Sequence, residues 1–108
     1  MTAARQRLGA TGEERAAAWY AAHGYEVVAR NWRCRDGELD LICASEDTLV
    51  ICEVKTRSSL AYGHPAEAVT ATKQRRIRGL AARWLAEADP PVRAAEIRFD
   101  VAAVLPGS

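Results

Sequence analysis

The chain is short of lysine. Of its 15 basic residues only Lys55 and Lys73 are lysines, and the rest are arginines. Where surface charge is written almost entirely as arginine, a lysine kept beside carboxylates, as Lys55 is, suggests a need for a compact ammonium. Cysteine is also scarce. Cys34, Cys43 and Cys52 form an odd set with no C-x-x-C pair, and His23 and His64 lie far apart, so neither a zinc site nor a disulfide framework is indicated. No stretch approaches the ~20 apolar residues of a membrane span. Met1–Ala10 carries Arg5 and Arg7 with no apolar run behind them, so no secretory leader is expected; a cytoplasmic protein without a membrane partner is. Neither a P-loop nor a G-x-G-x-x-G turn is present, which argues against a nucleotide-binding enzyme. The net charge of +1 is too small for a dedicated DNA-coating domain.

What is present fits one globular domain. At 108 residues, 49% hydrophobic and 27% charged, the chain suffices for a single modest core, expected to span about residues 11–105 of the 1–108 domain. Thr11-Gly12-Glu13-Glu14 reads as a capping box, predicting a helix from Thr11 to about Ala22, stopped by Gly24. On it Glu13, Ala16 and Tyr20 share an inward stripe that Trp19 adjoins. Tyr25–Arg30 reads as a strand and Asn31–Asp36 as a polar connection. Two apolar runs, Leu39–Ala44 and Thr48–Val54, flank the turn Ser45-Glu46-Asp47 and predict a β-hairpin. After a loop over 57–63, Pro65 suits a first helical residue, and a second helix is expected over about Ala66–Ala88. Ile77, Leu80, Ala81, Trp84, Leu85 and Ala88 form its apolar stripe. Asp89-Pro90-Pro91 ends it, and an alternating strand follows over about Glu96–Leu105. The order α-β-β-β-α-β predicts an α/β sandwich with a central mixed sheet flanked by helices.

Charge interrupts the hairpin. Side chains alternate along a strand, so Glu53 and Lys55 share a face, and any register setting Asp40 opposite either gathers all three there. Acids on a largely apolar sheet are costly unless paired. Two readings are open: a structural salt bridge of Lys55 with Glu53 or Asp40, and a hard-cation site with a lysine for phosphate chemistry. Lys73 extends the stripe of the second helix, which can bring its ammonium toward the same cluster. With Arg75, Arg76 and Arg78 it makes the most basic window of the chain, either a solvated helix face or a track for a phosphate backbone.

At these residues a resemblance emerges. Asp40, a gap of twelve residues and then Glu53-Val54-Lys55 is similar to the D…E-x-K core of restriction-endonuclease-like, PD-(D/E)xK nucleases. Gly12-Glu13, Gly24-Tyr25, Arg30-Asn31, Gly37-Glu38-Leu39-Asp40, Glu53-Val54-Lys55-Thr56-Arg57, Gly63-His64-Pro65, Lys73 and Arg98-Phe99-Asp100 follow the order and approximate spacing of the YraN-type family. That family of small bacterial proteins resembles archaeal Holliday junction resolvases. The likeness spans about Gly12 to Val104.

The resemblance implies a restriction-endonuclease-like fold and a metal-dependent endonuclease acting on DNA, including branched intermediates of repair and recombination. It implies Mg²⁺ or Mn²⁺ held by Asp40, Glu53 and the carbonyl of Val54, with Lys55 catalytic and Glu13 an accessory acid beside Asp40. Arg57, Lys73, Arg75, Arg76 and Arg78 would contact nucleic acid, and likeness to the resolvases suggests a homodimer. Two other classes remain: a nucleic-acid-binding module that has lost turnover, and a protein-interaction adaptor.

Overall fold

The computed structural model describes residues 3–56 and 70–105, with side chains from residue 11 onward. The elements run α1 (Ala3–Ala22), β1 (Glu26–Cys34), β2 (Gly37–Ser45), β3 (Thr48–Thr56), α2 (Ala71–Glu87) and β4 (Glu96–Val104). The strands form one sheet in the order β1-β2-β3-β4. The first three are an antiparallel meander, and β4 returns through α2 to lie parallel to β3 over its whole length. This is the mixed α/β arrangement expected from the order of elements.

Each face of the sheet carries one helix. Ile77, Leu80, Ala81 and Trp84 of α2 pack on Leu39, Ile42, Leu49 and Ile51. Ala16, Ala17 and Tyr20 of α1 pack on Leu41, Cys43, Val50 and Cys52 on the other side. Trp19, which adjoins the buried stripe in sequence, remains 53% exposed. Burial, together with the neighbouring thiol of Cys52, pushes the Cys43 thiol up to about 12. Burial likewise raises Cys52 to about 11.

Three boundaries depart furthest from the sequence reading; β2 and β3 differ from it by no more than two residues at an end. The first helix begins at Ala3, so Thr11 and Glu14 lie in its interior and no capping box forms. Residues 3–10 are mostly strong helix formers, and a cap acts only where the chain upstream leaves the helix. Second, β1 extends past Arg30 to Cys34, leaving Arg35 and Asp36 as the turn. Arginines on its exposed face disguise this end as a loop, while Trp32 and Cys34 pack inward. Third, α2 starts at Ala71, because Thr70 is extended and its hydroxyl accepts the Lys73 N–H at 3.1 Å. The residues expected to start it, Ala66 and Pro65, lie outside the described residues, as does Arg57.

The end of α1 follows the expectation. Gly24 adopts φ 88°, Tyr25 N–H donates to the Tyr20 carbonyl at 3.0 Å, and Gly24 N–H reaches Ala21 at 3.4 Å. Near its middle, α1 passes close to the end of β3. A Cβ on Gly12 would collide with the Thr56 hydroxyl and lie 3.3 Å from the Thr56 Cβ. This close approach sets how near the next residue, Glu13, comes to the sheet. Gly12→Ala is therefore expected to destabilise the fold by about 1–3 kcal/mol. The double variant with Thr56→Ala should lose less than the sum of the single losses, as denaturant titration of all three proteins would show. In the native protein, Cys43 and Cys52 should react with a thiol reagent only on unfolding, which timed labelling checks.

Candidate active site

The acids meet where the β2–β3 ladder opens. The register runs Ser45↔Thr48 to Leu41↔Cys52, and one step further it would set Asp40 against Glu53. That rung is replaced by a side-chain bond: Val54 N–H donates to Asp40 Oδ2 at 2.9 Å. Strand alternation is also broken here. Leu39 and Ile42, three positions apart, both join the core under α2. Their partners on β1, Trp32 and Ala29, flank Asn31, whose φ is 50°. The paired irregularity leaves Asp40 half-buried at the sheet end, where with Glu53, Gln74 and Ile77 it lines a small cleft.

Glu53 is held from two elements. Lys55, two residues along β3, places Nζ 3.1 Å from Glu53 Oε1, and Lys73 of α2 places its Nζ 3.1 Å from the same oxygen. Burial pushes the Glu53 carboxyl up, but the hydrogen bonds from Lys73 and Lys55 outweigh it and hold the group below its usual value. Asp40 goes the other way. Burial raises it most; Val54 N–H opposes this, and the charges of Glu53, Glu13 and Glu38 add to the rise. One acid is thus neutralised by two ammoniums, and its neighbour is left under-compensated.

Glu13 acts on Asp40 through charge. Among the described residues no three His, Cys, Asp or Glu side chains come together as a metal cage. The donor groups of Asp40 and Glu53 that line the cleft are carboxylates. Such a set suits a hard cation that keeps several waters, and poorly suits zinc.

The basic window of α2 divides. Lys73 turns to Glu53, while Arg75, Arg76 and Arg78 remain exposed. Arg75 donates to Thr72 Oγ1 at 3.4 Å, and the Arg78 guanidinium lies 5.6 Å from the Phe99 ring centre. Gln74, absent from the residues singled out in the sequence, belongs to the cleft. Its place three residues before Ile77 on the apolar stripe was the available signal.

A second polar cluster lies on the α1 face, centred on Asp100, which also lines the cleft. Arg98 grips Asp100 through two hydrogen bonds of 2.9 and 3.0 Å and donates to the Tyr25 hydroxyl at 3.0 Å. Tyr20 O–H donates to Asp100 at 2.5 Å. The Arg98–Asp100 pair thereby ties β4 to α1 and to Tyr25, the residue just before β1.

Fold and cleft together define an α/β protein whose mixed sheet ends in a carboxylate–lysine cluster. The chain belongs to the uncharacterised protein family UPF0102, the YraN-type family, whose profile matches residues 12–104. A UPF0102 protein of Beutenbergia cavernae is 61% identical over 102 residues, covering 94% of this chain and 85% of the relative. One from Nocardia farcinica is 58% identical over 101 residues, covering 94% and 78%. One from Parafrankia sp. is 57% identical over 99 residues, covering 92% and 82%.

Because the folded chain raises Asp40 above its usual 3.8, ionising it costs more when folded than when unfolded. Stability is accordingly lost as pH rises from that value through the higher folded one. Asp40→Asn keeps an oxygen for Val54 N–H but removes the charge. Without added metal it should melt higher than the parent at pH 7, by roughly a few degrees. The gap should close as pH falls toward 4, and thermal melts across that range check both parts.

Proposed function

We propose that this protein is a metal-dependent endonuclease-like protein acting on DNA, with branched repair or recombination intermediates as the favoured substrates. The observation that carries the reading is the convergence of Lys55 and Lys73 on Glu53, beside an under-compensated Asp40. The likeness of Asp40…Glu53-Val54-Lys55 to PD-(D/E)xK nucleases supports it as a resemblance. In this reading Asp40, Glu53 and the Val54 carbonyl hold Mg²⁺ or Mn²⁺. When bound, that ion supplies an activated water and offsets charge on the scissile phosphate. Lys55 presents a compact ammonium to the phosphate oxygens, where a guanidinium would grip the carboxylates instead. Glu13, reaching Asp40 from α1, adds negative potential that favours the cation. Arg75, Arg76 and Arg78 lie exposed along α2 and follow the phosphate backbone, with Arg57 assigned to the same track from its sequence position. The working compartment is the cytoplasm; no helix among the described residues is long and apolar enough to cross a membrane.

A second reading draws on one observation. With both lysines on one Glu53 oxygen and no three-acid cage among the described residues, the cleft also suits a module that binds DNA without cutting it. Cleavage of a panel of branched, single-stranded and duplex DNAs with Mg²⁺ or Mn²⁺ separates the two. The nuclease reading predicts metal-dependent cleavage that Asp40→Asn abolishes while binding is kept or slightly strengthened. Salt-dependent binding without cleavage on any substrate would leave the binding module. Neither binding nor cleavage would favour a protein-interaction adaptor.

Two further outcomes follow from the residue roles. Replacing Arg75 and Arg76 together by alanine should weaken binding to all DNA sequences alike and flatten its salt dependence by about one counterion per lost contact, read from titrations at several salt concentrations. Lys55→Arg should leave the Tm nearly unchanged and stop turnover, whereas cleavage at the parental rate would remove Lys55 from the chemistry.

A further inference from the structure

Lys55 and Lys73 make the same contact with Glu53 but are held differently. Lys55 lies two residues from Glu53 on one strand, so backbone parity keeps them together, and its side chain is 22% exposed. Lys73 arrives from another element, and its side chain is 34% exposed. It is the third residue of α2, at the positive end of the helix dipole, with no acid in the first turn to offset it. Three residues on stands Arg76, exposed on the same side of the helix, which adds like charge. Its ion pair with Glu53 compensates an otherwise unfavourable position.

A divalent cation shared between Asp40 and Glu53 would meet two ammoniums crowded on Glu53 Oε1, each at 3.1 Å. Like charges at such separations repel strongly where water is partly excluded. Relief comes from releasing the ammonium that the backbone does not hold in place. We propose that Lys73 is an exchangeable counter-ion: it sits on Glu53 while the cleft lacks a cation, and passes to a phosphodiester oxygen of bound DNA when a cation takes Glu53. Lys73 is then a positioning residue that links the two binding events. The inference rests on the cation reading above and adds a coupling which that reading does not require.

By linkage, a cation that frees Lys73 strengthens DNA binding, and DNA strengthens cation binding by the same factor. The test uses Ca²⁺ as a cation probe and a synthetic branched DNA as the phosphate probe. Ca²⁺ affinity is measured calorimetrically without DNA, and DNA affinity with and without Ca²⁺, for the parent, Lys73→Met and Arg93→Met. The last removes the same charge at an exposed position outside the cleft and outside the basic window of α2. Folding of each variant is verified by its melting curve.

The parent should bind Ca²⁺ and gain about tenfold in DNA affinity with it. Lys73→Met should bind Ca²⁺ several-fold more tightly, because Glu53 has lost a competitor, and its calcium-dependent gain should fall below twofold. Arg93→Met should keep the parental Ca²⁺ affinity and coupling. If Lys73→Met matches the parent in both, or if Arg93→Met changes Ca²⁺ affinity as much, the exchange is overturned and the cation reading stands. A parent that binds no Ca²⁺ overturns both.

Discussion

A carboxylate that gives up part of its water on an apolar sheet must recover the lost solvation elsewhere, and at the end of β3 that need ties elements together. Glu53 is satisfied by one lysine from its own strand and one from α2, so the ion triplet fixes the first turn of α2 over the cleft. Asp40 spends its nearest donor, the Val54 N–H, in place of a sheet rung. The ladder therefore opens where the charges lie, and the rest of the sheet can stay regular and dry. Only apolar residues are fully buried among those described, in two layers under α1 and α2.

The two faces divide the work. The α2 face carries Glu53, Lys73 and the arginines that run along the helix. The α1 face carries the Arg98–Asp100–Tyr20–Tyr25 network, whose hydrogen bonds join β4, α1 and the start of β1. Burial and the bond to Asp100 hold the Tyr20 hydroxyl well above its usual range, so it stays a proton donor. Glu13 belongs to α1 yet is felt by Asp40, and the close passage of Gly12 over Thr56 is what brings it near.

Much of this was legible before any coordinates. Two apolar runs around a polar turn marked the hairpin, and the apolar stripe of α2 named the residues that bury. Parity alone put Glu53 beside Lys55. What escaped had physical reasons. The capping motif at Thr11 carries no information once the chain upstream is itself helical. The distal half of β1 bears Asn31, Arg33 and an irregular φ, and local polarity outweighed its alternation. The start of α2 hinged on the Thr70 hydroxyl, a weaker signal than Pro65. That both lysines share one oxygen depends on a helix-to-strand approach that no local pattern encodes.

The central claim is that Asp40 and Glu53 jointly hold a divalent cation from which one lysine must withdraw. A crystal structure grown with Mn²⁺, with data at a wavelength where manganese scatters anomalously, tests it most directly. The account predicts an anomalous peak between the two carboxylates at ~2.0–2.4 Å from their oxygens, with Lys55 in place and Lys73 displaced from Glu53. A refined structure at saturating Mn²⁺ with no peak there, and both ammoniums still on Glu53 Oε1, would contradict it.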